Sequence, residues 1–203
     1  MIHALLLAEA LIASCALAFE TAAARLVAPY AGMSTDSWTA IIAGFLLSWA
    51  LGNHVGGRCS AGGAQRSLCR AAAAVAGAAA MVAATPLLLP ALDSWLVASD
   101  PVARWRLALF AALPTLGPGF LFGIAPPLVM LAIIRHSGGH GALVGIANAA
   151  GAAGSAAGAV AVLWLGLDWL GTRGTCLAIA ALGLVTAALL MATAFRADTR
   201  HPA

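Results

Sequence analysis

Few residues in this chain could do chemistry, and most of them interrupt sequence that is otherwise apolar. Glu9 and Glu20 fall in the first hydrophobic run, Asn53 falls near the end of the second, and Asn148 falls in the fifth. A carboxylate kept from water can take up a proton or hold a small cation, and a carboxamide can hydrogen-bond a solute or a neighbouring helix. Glu9 and Glu20 are eleven residues apart, which at ~100° per residue returns to nearly the same helix face, so both are expected to look into a protein interior. Glu9, Glu20, Asn53 and Asn148 are therefore the candidate solute-binding residues. No nucleophile stands with a base in a catalytic pattern. The four cysteines, Cys15, Cys59, Cys69 and Cys176, lack Cys-x-x-Cys or Cys/His metal spacing and read as small apolar residues or free thiols. The expectation is a protein without enzymatic activity, cofactor or metal.

The elements that must position these residues are membrane helices. The chain of 203 residues is 63% hydrophobic and 8% charged, with no lysine, far from the composition of a soluble domain. Apolar runs at about 2–26, 38–57, 71–92, 107–134, 142–167 and 174–195 are each long enough to cross ~30 Å of hydrocarbon. They predict an all-α, polytopic membrane protein: a six-transmembrane-helix bundle forming a single integral membrane domain over 1–203. The connections are too short to hold a soluble domain of ~50 residues or more. A net charge of +3, thinly spread, excludes a nucleic-acid surface and leaves the lipid bilayer as the first partner.

Orientation follows from two signals. Arg58, Arg66, Arg70, Arg135, Arg196 and Arg200 collect on one side, against Arg25, Arg104, Arg106 and Arg173 on the other, while Trp38, Trp95, Trp105, Trp164 and Trp169 gather on the second side. The positive-inside rule and an aromatic belt then put both N and C termini in the cytoplasm.

Several residues read as structural. Pro29 is expected to end the first helix and Gly32 to permit a turn, with Ser34, Thr35 or Asp36 capping the second helix. Arg25, about 140° round the helix from Glu20, is expected to reach Asp36, so that Arg25, Pro29, Gly32, Asp36 and Trp38 clasp helices one and two. Gly56, Gly57 and Arg58 read as a cytoplasmic turn. Helix four carries Pro114, Pro118, Pro126 and Pro127; each interior proline removes a backbone hydrogen bond, so this helix is predicted to be bent or broken. The alanine-rich third helix reads as peripheral. Glycines four apart, Gly52 and Gly56, Gly119 and Gly123, Gly141 and Gly145, Gly154 and Gly158, would let backbones approach closely. Helix five, with Asn148 and Ser155, is expected at the bundle centre.

The pattern formed by Glu20, Arg25, Leu26, Ala28, Pro29, Tyr30, Gly32, Ser34 and Trp38, followed by Gly52, Asn53, Gly56, Gly57 and Arg58, resembles the opening of the membrane part of bacterial fused major-facilitator/spermidine-synthase-like proteins. GPGFLFGIAPPLV at Gly117 to Val129 is similar to that family's fourth helix, and Ala142 to Arg173, ending LDWLGTR, to its fifth helix and following loop. The resemblance implies a multi-pass protein of the bacterial inner (cytoplasmic) membrane with a bundle like half of a major-facilitator fold, often joined to a soluble aminopropyltransferase-like domain. After Phe195 only RADTRHPA follows, without a nucleotide-binding glycine loop, a strand pattern or an acidic pair for a polyamine. The expectation is thus a stand-alone membrane domain, transporter-like for a small cationic or polyamine-like solute, with no aminopropyl transfer of its own. The alternative is a non-catalytic anchor or scaffold subunit of a larger membrane complex. Two protein partners fit these readings: a second copy, giving a twelve-helix homodimer, or a separately encoded protein.

Overall fold

The computed structural model describes residues 1–60, 62–97, 104–137 and 141–198. Arg200 and the side chains of Trp95, Arg104, Trp105 and Arg106 lie outside that description. The described elements are all helical: α1 (Ile2–Ala31), α2 (Thr35–Arg58), α3 (Ala64–Val97), α4 (Arg104–Ser137), α5 (Gly141–Ala161), a π-helical segment (Val162–Leu170) and α6 (Gly171–Asp198). Five helical stretches are long and apolar enough to cross a membrane, and the last of them, Gly141–Arg196, is 56 residues long.

That last stretch is folded back on itself. Along α1 and α5 the residue numbers rise together, with Gly151 beside Glu9, Gly154 on Ala10 and Gly158 on Ser14. Along α6 they fall, because Arg25 shares a cavity wall with Thr172 and Arg173 while the Cys15 thiol lies 3.9 Å from the Ile179 carbonyl. The reversal is made at Gly171, whose φ of 64° and ψ of 177° belong to a region that is nearly glycine's alone. A β-carbon there would meet nothing within 4 Å, so any penalty is conformational. Gly171→Ala is expected to lower stability by about 1 kcal/mol, seen as a lower thermal midpoint in detergent. Gly145→Ala, in mid-helix and in open space, is expected not to lower it.

Local chemistry accounts for the other boundaries. α1 does not stop at Pro29 but runs on to Ala31 and closes at Gly32, with φ 73° and its N–H donating to Ala28 O at 3.0 Å. Pro29 falls in the last turn of α1, where it and Arg25 are both exposed, and costs the helix only the one hydrogen bond to the Arg25 carbonyl. Ser34 is the residue that caps α2: its hydroxyl accepts the Ser37 N–H at 3.2 Å, and the Ser37 hydroxyl accepts the Ser34 N–H at 3.0 Å, a reciprocal capping box. α3 is longer than its apolar run and is not peripheral, since Leu68, Val75, Ala78 and Val82 are fully buried where it packs on α4 and α6.

α4 is unbroken through all four prolines. The prolines free the carbonyls of Phe110, Pro114, Phe122 and Gly123, yet the helix is held along its length by α2 and α3. The α4 glycines sit directly on those neighbours: Gly117 faces Met81, Gly119 faces Ser48, and Gly123 faces the Trp49 carbonyl.

The pairing of helices has an internal order. α1 packs on α5 in parallel and α2 packs on α4 in parallel, with Gly44 opposite Ala112, Gly52 opposite Phe120 and Gly56 opposite Ile124. α3 lies along α4 just as α6 lies along α1, and α3 and α6 pack on each other. Exchanging α1 with α4, α2 with α5 and α3 with α6 maps these contacts onto one another. Because three helices reverse the sense of the chain, the two halves are inverted relative to each other. The glycine pair of α2 that rides on α4, Gly52 and Gly56, corresponds in this exchange to Gly154 and Gly158 of α5 riding on α1.

Candidate functional site

α1 is the helix that carries the buried acids, and it is surrounded by α4, α5 and α6. Glu9 is 7% exposed and Glu20 8%. At 1.5 Å of rise per residue they stand about 16 Å apart along the helix axis, so they do not form one site. Space for the Glu9 side chain is left by Gly151 on α5: a β-carbon at Gly151 would lie 3.7 Å from both Cγ and Oε1 of Glu9. Oε2 of Glu9 is buried without a hydrogen-bond partner among the described residues. A buried acceptor in that condition needs a proton of its own, a cation or a donor from a solute. Nearby, the Ser155 hydroxyl donates to Ala13 O at 3.3 Å, which ties α5 to α1 one turn further on.

The two asparagines are not brought to this place. Asn53 is half-buried on α2 and its Nδ2 donates to Trp49 O at 3.2 Å, one turn back on the same helix. Asn148 is exposed, contrary to its expected place at the bundle centre. The cause is steric: Gly151, Gly154 and Gly158 permit the closest approach and take the face toward α1, and Asn148 lies 60–120° round the helix from them at ~100° per residue.

The expected clasp between helices one and two also takes a different form. Arg25 and Asp36 are both exposed, and no ion pair joins them among the described residues. Arg25 faces the π segment and the start of α6 instead, lining a cavity of about 320 Å³ with Leu163, Leu167, Asp168, Gly171 and Thr172 and a smaller one of about 150 Å³ with Arg173. Asp36 sits in the first turn of α2, where its charge complements the helix dipole. Pro29, Gly32 and Trp38 stay at the exposed α1–α2 bend. At the other end, Gly56 is no turn residue: it packs against Ile124 O and Pro127, while Gly57 faces open space and Arg58 ends α2. The loop beyond is tied by Arg70, which donates to Cys59 O, and by Arg135, which donates to Gly62 O. Those two arginines were readable in sequence only as charge that sets orientation.

A further cavity, apolar and about 440 Å³, lies between α1, the π segment and α6. Neither it nor the two at Arg25 is lined by Glu9, Glu20, Asn53 or Asn148. Among the described residues no three His, Cys, Asp or Glu side chains group as a metal site. Comparison with known proteins adds no relative: no family model matches the chain, and neither the curated proteins nor the solved structures give a match.

Proposed function

We propose that the chain crosses the bacterial inner membrane six times, with both termini in the cytoplasm, as half of a major-facilitator-like transporter for a small, cationic or polyamine-like solute, without chemistry of its own. The six crossings count the two arms on either side of Gly171 separately. The observation that carries the reading is the inverted pairing of α1–α3 with α4–α6. In transporters built from inverted repeats, solute and coupling ions bind where the repeats meet. Two exchanged pairs meet, α3 with α6 and α1 with α4, and the second pair carries the polar groups. One brings Glu9 and Glu20; the other brings proline-freed carbonyls at Phe122 and Gly123. A second copy is the natural complement, because Asn148 stands exposed beside Gly145, Ala149, Ala152 and Ala156 on α5. A carboxamide both donates and accepts, so two copies about a twofold axis satisfy each other.

The test is uptake of a labelled polyamine into proteoliposomes. Glu9→Gln and Glu20→Gln are each expected to lower uptake roughly tenfold or more. Uptake by both variants at the wild-type rate rejects the reading.

A second reading, an anchor or scaffold subunit for a separately encoded protein, is favoured by the closeness of the helix packing: α1–α5 and α2–α4 touch backbone to backbone at Gly52, Gly123, Gly154 and Gly158. It requires a stoichiometric partner to copurify from native membranes, and fails if the protein is isolated alone.

A further inference from the structure

The end of the bundle where α1 finishes and α6 begins has the form of a lipid seat, and it is separate from the acids of the proposed function. Arg25 and Asp168 line one cavity of about 320 Å³, with Thr172 and Gly171 from the first turn of α6 on the same wall. Both charged side chains are exposed, and neither is in an ion pair among the described residues. A cavity holding one guanidinium and one carboxylate is neutral as a whole and complements a ligand that carries both signs. The amides at the α6 N-terminus favour the anionic part on the Arg25–Thr172 side.

The apolar cleft lies alongside. Val162, Gly166 and Leu170 of the π segment line the 440 Å³ cleft, and Leu163, Leu167 and Gly171 line the charged cavity, so the two occupy adjoining faces of one short element. On α1 the cleft is lined by Ser14 and Ala18, and Arg25, seven residues beyond Ala18, falls on the same face at ~100° per residue. Depth agrees with this order. Arg25 stands about 34 Å up the axis from the start of α1, past ~30 Å of hydrocarbon and thus at headgroup level, whereas Ser14 and Ala18 stand within the hydrocarbon. A zwitterionic head above and an apolar chain below is the plan of a phospholipid.

We propose that this seat binds one phosphatidylethanolamine molecule, with the phosphate on Arg25, the ammonium on Asp168 and an acyl chain in the cleft between α1, the π segment and α6. The ammonium can donate charge-assisted hydrogen bonds to a carboxylate, which a choline headgroup cannot, and the uncharged glycerol of phosphatidylglycerol leaves Asp168 without a counter-charge.

The test is native mass spectrometry of the full chain released from nanodiscs made of phosphatidylethanolamine, phosphatidylcholine or phosphatidylglycerol. Wild type is expected to retain one lipid per chain, with ethanolamine favoured roughly tenfold over the other two. Asp168→Asn is expected to keep a lipid but lose that preference, and Arg25→Gln to lose retention. Ala161→Trp, which fills the cleft and leaves both charges in place, is expected to lose retention as well. Soluble glycerophosphoethanolamine is expected not to displace the lipid; displacement would overturn the acyl part of the seat. Equal retention of the three lipids by wild type, or an unchanged preference in Asp168→Asn, would overturn the proposal. These readouts do not involve solute flux, so they stand or fall apart from the transport reading.

Discussion

Gly154→Val is expected to prevent the bundle from closing. A β-carbon at Gly154 would collide with the Ala10 carbonyl oxygen and stand 2.7 Å from its carbon and 2.8 Å from the Ala10 Cα. All three are backbone atoms, so no side chain can swing aside. Valine adds two methyl groups whose rotamer in a helix is nearly fixed. The helices must separate, and with them go the Gly158 contact on Ser14 and the fit of Glu9 beside Gly151. Overpacking in a core that can adjust costs ~1–3 kcal/mol, and here the loss is expected to exceed that range. Thermal unfolding in detergent measures it, with Gly145→Val on the same helix as the control, because nothing lies within 4 Å of Gly145. Gly52→Val, pressed on the Phe120 carbonyl, is expected to behave like Gly154→Val, as its equivalent in the inverted half. A Gly154→Val protein that melts with wild type would refute the close parallel pairing of α1 and α5.

Glu9→Met is expected to have the opposite sign, raising stability while removing the transport proposed above. A buried acceptor left without a partner costs ~1–3 kcal/mol, and Glu9 Oε2 is such an atom. Methionine has nearly the same volume and bends readily, so it fills the space beside Gly151 without a new void. Glu9→Ala removes the same oxygen but leaves a cavity, and is expected to forfeit the gain. Glu20→Met is expected to bring no comparable gain, since no orphan oxygen is found there among the described residues. Comparing thermal midpoints of the three variants separates these terms. If Glu9→Met melts lower than wild type, the carboxyl is held by a partner and its burial is structural. An acid whose burial lowers stability fits the solute-binding role proposed for Glu9.

The existence of the helices was readable because length and apolarity alone decide it: stretches that start near Ile2, Thr35, Ala64, Ala108 and Gly141 all follow the hydrophobic runs. What one sequence could not supply was facing. Four glycine pairs have the same spacing, yet Gly52 with Gly56, Gly119 with Gly123 and Gly154 with Gly158 press on a neighbouring helix while Gly141 and Gly145 meet nothing, because spacing fixes a stripe and only the partner helix decides whether that stripe is covered. Asn148 was misplaced for the same reason. Arg25 was assigned to Asp36 by nearness in sequence, whereas its actual surroundings come from Asp168 and Thr172, across the fold. The prolines of α4 announced a bend or a break, and the helix is not broken, since a proline rule describes one helix and not the neighbours that hold it. Of the candidate solute residues, the burial of Glu9 and Glu20 followed from periodicity; the orphan oxygen depends on Gly151, which no local pattern links to Glu9.

Parallel pairing of α1 with α5 also sets a timetable for making the protein. Ala13 and Ser155, which join the two helices, are 142 residues apart, and at ~5–20 residues/s the ribosome needs roughly 7–28 s to travel from one to the other. For that interval the strip of Ala10 and Ser14, on which Gly154 and Gly158 will pack, has no α5 to meet. α4, which α1 also meets in the finished fold, is made before α5 and can join it first. The α1–α5 seam is therefore among the last that the nascent chain can close.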